Sequence, residues 1–304
     1  MTGFVLTTVN SSGGWTTFDA TGALISNNAT LQDGVNAAQS SGYPYVCYGN
    51  PAFPITEPVT FGPAAFQSYT LRNVSLQDTV TIDGLYGCDI DWRGGNIEWT
   101  SGTTSALLSV APKNKSPNEN SPMVELCRFA FPSMVAAKLS GVSITDMVLF
   151  DPSHGAIVNN QFNFASIDGG DIAANGIVVN NPSGNPAVSA VAQNDVSFGL
   201  ITGFTSHGIQ EGSGTINPAT QPLGTNVWRG AIATSGAPYV AYQTFGVMSQ
   251  GFFSSISIDD GTLQYGVFFS SGSEGNYVLS PQMAGTTPKI DQGTNNRLVT
   301  PTGW

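Results

Sequence analysis

The chain is short of charge: only 10% of its 304 residues are charged, and the nine basic ones are outnumbered by 20 acidic ones. A net charge of −11 and a pI near 4.3 exclude nucleic acid and an anionic membrane surface as main partners, since both attract basic faces. With so few lysines and arginines spread over the whole chain, no basic patch is expected. No stretch reaches the roughly 20 apolar residues of a membrane span, so no membrane insertion is expected. Met1-Thr-Gly-Phe-Val-Leu-Thr-Thr lacks the basic start and apolar run of a signal peptide. Cysteine is scarce too. Cys47, Cys88 and Cys127 cannot pair completely and sit in apolar or alternating runs, which predicts buried thiols made in a reducing cytoplasm. No calcium-binding cluster of carboxylates is present, and neither a metal nor a cofactor is expected.

What is abundant is glycine, 36 residues, together with enough aromatics (10%) to fill a core. These suit a turn-rich, all-β chain forming one domain. An irregular repeat supports this. Segments open on Val142, Phe164, Val196, Val227 and Phe253, and each is answered by a second marker at Gly155, Gly176, Gly208, Tyr239 and Gly266. The inner spacing is nearly constant and the outer one varies, which predicts a solenoid whose extra length lies in outer loops. The loops 181–195 and 211–226, rich in Gly, Pro and Asn, fit that role and are expected to contact a receptor. Coils this short without helical periodicity point to a single-stranded parallel β-helix.

Residues 1–28 are polar and aperiodic and read as an N-terminal arm or attachment segment. The β-helix domain then takes 29–304, opening with a helix over 29–41. Asn28 or Thr30 caps it, Asp33 completes a capping box, Leu31, Val35 and Ala38 share a face, and Gly42 ends it. Such a helix would close the apolar end of the solenoid. Strands follow through Val74, Leu76, Val80 and Ile82, then Cys88, Ile90 and Trp92. Alternation puts Asp89, Asp91 and Arg93 on the opposite face, and Ile97 and Trp99 repeat the pattern around Glu98. The loop from Ala111 to Pro122 is expected to project from the wall.

Stacking converts sequence offsets into distances, with adjacent coils about 4.8 Å apart. Asp146 and Asp168 stand at matching places and could lie near 5 Å, a separation suited to a glycosidase carboxylate pair, of which one member would be a general acid. His154 and His207, each in Ser-His-Gly, would occupy one row with Asn175 between them, too far apart to share a metal. Asp89, Asp91, Arg93 and Glu98 form an alternative carbohydrate-binding wall, to which His154, His207 and an overhanging Glu211 could add. The plainer reading of the aspartates is hydrogen bonding to turn amides, and of the histidines a place in turns.

Phe18-Asp-Ala-Thr-Gly, the helix Ala29-Thr-Leu-Gln-Asp-Gly-Val-Asn-Ala-Ala, Tyr45-Val-Cys-Tyr, and Phe53-Pro-Ile with Val59-Thr-Phe resemble the opening of the pectate-lyase-like superfamily of right-handed β-helices. The acidic, Gly/Ser/Thr/Asn-rich make-up and the Asn-Asn-Arg-Leu-Val ending look most like bacteriophage tail spikes. That resemblance implies a homotrimer on the virion, released by lysis, that contacts other virion proteins and binds host surface polysaccharide. The alternative it implies is a depolymerase, a hydrolase or lyase, acting on capsule or lipopolysaccharide. The Ser-His-Gly spelling is similar to the Gly-His-Gly of polygalacturonases, but the chain's Asp259-Asp260 pair follows both histidines instead of preceding them.

Overall fold

The computed structural model describes residues 3–27, 29–183, 189–214, 221–234, 240–258, 265–280, 283 and 287–300. Apart from one helix these residues are strands and turns, gathered into a 23-stranded sheet and a six-stranded sheet. Nearly all pairings are parallel and join each strand to its counterpart in the next repeat. One face shows this plainly. Tyr45–Tyr48 pairs with Ser68–Arg72, which pairs with Asp89–Arg93, then Arg128–Phe131, Gln161–Phe164 and the start of Asp195–Glu211. The row continues through Val227–Thr234, Gln250–Ile258, Tyr277–Leu279 and Arg297–Val299. Returns to the same place are separated by as few as 20 residues and as many as 40.

These strands form because polar and apolar residues alternate. In Asp89–Arg93 the burial alternates with Ile90 and Trp92 inward, as expected from the sequence. Stacked repeats place like on like, so Phe129 lies on Phe162 with ring centroids 4.7 Å apart and Phe131 lies on Phe164 at 5.5 Å. Each such pair adds about 0.5–1.5 kcal/mol to what burial contributes.

A second row runs beside the strand starts. From Ser68–Arg72 onward, the residue before each strand of that face is Gln67, Cys88, Cys127, Asn160, Asn194, Asn226, Ser249, Asn276 or Asn296. Asn160 Nδ2 donates to Asn194 Oδ1 at 3.0 Å, and Asn194 Nδ2 to Asn226 Oδ1 at 3.0 Å. The same oxygens accept the preceding repeat's backbone N–H, as Asn160 Oδ1 does from Cys127. Turn groups that would otherwise be buried and unpaired are thus satisfied. One position earlier the backbone is left-handed before each of these nine strands: Phe66, Gly87, Leu126, Asn159, Gln193, Thr225, Met248, Gly275 and Asn295 all have positive φ.

The helix α1 (Leu31–Ser41) matches its sequence signals. Thr30 is the N-cap, its side chain accepts from Asp33 N while Asp33 accepts from the Thr30 N–H, and Gly42 closes it in the left-handed region. It buries Leu31, Gly34, Val35 and Ala38. Gln32 accepts from Thr60 N at 2.6 Å and donates to Thr60 O at 3.0 Å, which ties the helix to the strand Val59–Phe61.

Several expectations are corrected. Residues 1–28 are not aperiodic: Val5–Val9, Trp15–Phe18 and Leu24–Asn27 are strands, and the first pairs in parallel with Tyr45–Tyr48. The opening repeat markers are out of register, since Phe164 pairs with Phe131 and Phe198 while Val196 pairs with Phe162 and Trp228. Val142 lies in a turn, and Tyr239 falls outside the described residues. Gly176 and Gly208 do share a row, flanked by the pairs Asn175–His207 and Ile177–Ile209. The loop from Ala111 to Pro122 folds back, because Asp83 Oδ1 accepts from Lys113 N at 2.6 Å and Asn114 N at 2.8 Å. The loops 181–195 and 211–226 lie partly outside the described residues. Their described flanks are joined, with Asn181 Nδ2 donating to Ser213 O at 2.7 Å, and Leu223 is buried in the six-stranded sheet.

Candidate functional site

The outward residues of the stacked face line a groove of about 610 Å³. Its floor is two rows. The first runs Ser68, Asp89, Arg128, Gln161 and Asp195, and the second Thr70, Asp91, Ala130, Asn163, Ser197 and Arg229, each member in register with the next. Register fixes their order along the groove, and the phenylalanine stack beneath gives the floor a rigid base. A smaller depression beside it is bordered by Arg93, Phe131, Pro132, Asn163 and Ala165.

Charge is organised along this face. Asp91 accepts from Arg72 Nη2 at 2.6 Å and from Arg93 Nε at 2.6 Å, and Arg229 Nε reaches Asp195 Oδ1 at 3.1 Å. Burial pushes Asp91 up, but its hydrogen bonds and charge attraction to Arg72 and Arg93 more than offset this and hold it below the ordinary carboxylate value. Asp91 is therefore a fixed anion that orients two guanidinium groups and is unsuited to be a general acid. Asp89 and Arg128 make no ion pair among the described residues.

All five arginines of the chain, Arg72, Arg93, Arg128, Arg229 and Arg297, sit on strands of this one face. No basic patch was expected, and the five are distributed over nine successive strands of the face with Asp89, Asp91 and Asp195 among them. Composition counts charges but not where repeats return, and the returns put these five on one face.

The expected catalytic pair is not assembled. Asp146 is in register with Asn175, whereas Asp168 is in register with Val135 and Thr202. Asp168 Oδ1 accepts from Gly170 N at 2.9 Å, the turn role that the plainer reading assigned. Asp146 is buried and accepts from Asn175 Nδ2 at 2.8 Å, while Asn175 Oδ1 lies 3.1 Å from His207 Nδ1. Burial raises Asp146 and lowers His207. The row is thus Asp146, Asn175, His207; the match of Asn175 with His207 holds, and His154 stands apart in an exposed turn. Glu98 sits on Asn96–Trp99, outside the groove, and accepts from Asn96 Nδ2 at 3.4 Å. The expected overhanging Glu211 is fully buried at the end of its strand. It accepts from Asn226 Nδ2, Tyr242 OH, Thr244 Oγ1 and Ser249 Oγ at 2.7 to 3.0 Å. Asp259 and Asp260 lie outside the described residues.

Of the residues singled out in the sequence, Asp89, Asp91 and Arg93 reach the groove. Arg128, Gln161, Asn163, Asp195, Ser197 and Arg229 were missed, although a signal exists. Leu126-Cys-Arg-Phe-Ala-Phe, Asn159-Asn-Gln-Phe-Asn-Phe, Gln193-Asn-Asp-Val-Ser-Phe and Thr225-Asn-Val-Trp-Arg align at one phase. Their third and fifth letters are the outward ones. Among the described residues no cluster suited to a metal ion occurs. Comparison with known proteins gives no match: no family model, no curated protein and no solved structure is significantly similar to this chain.

Proposed function

We propose that this protein is a right-handed, single-stranded parallel β-helix on the surface of a bacteriophage virion, assembled as a homotrimer, and that it binds host polysaccharide along the stacked face. The observation that carries the reading is the groove itself. Its floor presents hydroxyls, amides, aspartates and guanidinium groups in ordered rows, and such groups match the donors and acceptors of a sugar chain. Binding is favoured over cleavage because two of the three aspartates lining the groove are tied to arginines, which leaves Asp89 without a second carboxylate free of an ion pair on the floor.

The test is to pass bacterial surface polysaccharides over the immobilised protein and to follow their chain length by size-exclusion chromatography. Retention without shortening is expected. Shortening that Asp89→Asn abolishes would make the protein a depolymerase, and failure to retain any polysaccharide would sink the reading.

A further inference from the structure

The arginines carry more information than their shared face. Counted in repeats, Arg72, Arg93 and Arg128 lie on consecutive strands, Arg229 comes three strands after Arg128, and Arg297 three strands after Arg229. Three strand spacings of about 4.8 Å make roughly 14 Å. Arg72 and Arg93 share Asp91, and Arg229 is held by Asp195 and lies over the Phe252 ring at 5.0 Å. Arg128 is different. It is exposed, lines the groove, and has Asp89 and Gln161 as register neighbours without an ion pair to either aspartate of its row.

We propose that the stacked face takes a linear acidic polysaccharide laid along the stacking direction, with one carboxylate-bearing sugar on Arg128 and further anionic groups about 14 Å on, at Arg229 in the groove, and about 28 Å on, at Arg297 beyond it. The inference rests on the polysaccharide-binding reading and adds the ligand's charge and its spacing. Sparse charge is required by the aspartates. Asp89, Asp91 and Asp195 stand among the arginines, so a polymer charged at every unit would meet them repeatedly. Single-stranded nucleic acid, with a phosphate at each nucleotide, is such a polymer.

The deciding experiment is a binding panel of neutral and carboxylate-bearing bacterial glycans, each acidic sample also run after reduction of its carboxylates to alcohols, with single-stranded DNA alongside. Expected are retention of acidic glycans only, loss of retention on reduction, and roughly tenfold weaker binding for Arg128→Gln, the cost of one charge-assisted contact. Lys138→Gln, at an ion pair with Asp171 outside the groove, leaves binding unchanged. Equal retention of neutral glycans, or an Arg128→Gln variant that binds as before, overturns the acidic ligand while polysaccharide binding stands. Retention of no glycan removes both readings, and preferential retention of DNA replaces them.

Discussion

At the scale of single residues, most buried polar side chains are paired, with Tyr45 OH, Ser116 Oγ and Trp228 Nε1 as exceptions among the described residues. Glu211 is the sharpest case, a carboxyl side chain with 0% exposure that faces four neutral donors and makes no ion pair among the described residues. Removing it strands Asn226, Tyr242, Thr244 and Ser249 together, and each buried donor left unpaired costs about 1–3 kcal/mol. Glu211→Ala should therefore lower stability by at least about 3 kcal/mol in urea unfolding, with Glu211→Gln less damaging because one side-chain oxygen remains. Asp146 has the opposite character. Its folded pKa is raised, so the folded protein holds this proton more tightly than the unfolded chain does. The stabilising effect is full below the ordinary carboxylate value of 3.8 and is lost as pH rises through the folded one. At neutral pH its buried charge is a cost. Asp146→Asn, which can still accept from Asn175, should melt higher than the parent at pH 7, and the difference should shrink as pH falls toward 3.8. A variant that melts lower at pH 7 would contradict this.

At the scale of elements, the helix was legible and its packing was not. Thr30, Asp33 and Gly42 are local signals that act on the residues beside them, so sequence reading places the C-terminal end of α1 at residue 41 and its start, expected at 29, two residues before Leu31. Gly34 has no such local explanation. A Cβ there would run into the Tyr45 ring and the Thr7 hydroxyl, where the helix lies against the strands Tyr45–Tyr48 and Val5–Val9. Alanine favours an isolated helix by about 1 kcal/mol over glycine. Here the sign should reverse: Gly34→Ala is expected to destabilise by about 1–3 kcal/mol through overpacking, read from the thermal midpoint. Strands behave similarly. Alternation in Asp89–Arg93 identified the outward residues without help, whereas the early strands were not read from the sequence; Val5–Val9 lies along the edge of Tyr45–Tyr48, and Trp15–Phe18 and Leu24–Asn27 follow it in antiparallel order.

At the scale of the whole molecule, what matters is which residues return to the same row. Spacing alone misjudged this because the returns vary from 20 to 40 residues, so any fixed offset soon slips out of phase. That slip paired Asp146 with Asp168 and His154 with His207 on paper; the registers give Asp146 to Asn175 and Asn175 to His207. It also hid the arginine face. An acidic chain with nine basic residues offers no hint that its five arginines share one sheet, since they are separated in sequence by up to 101 positions, from Arg128 to Arg229.

The sequence by itself determined the things that neighbouring residues settle: an all-β chain, the capped helix, the buried cysteines, and the outward placement of Asp89, Asp91 and Arg93. These follow from alternation, capping and composition, all of which act over a few residues. Only the tertiary structure decided the register of one repeat on the next, because that choice depends on fitting Phe129 to Phe162 and Asn160 to Asn194 across loops of unequal length. The groove, its charge pattern and the interior place of Glu211 all follow from that register.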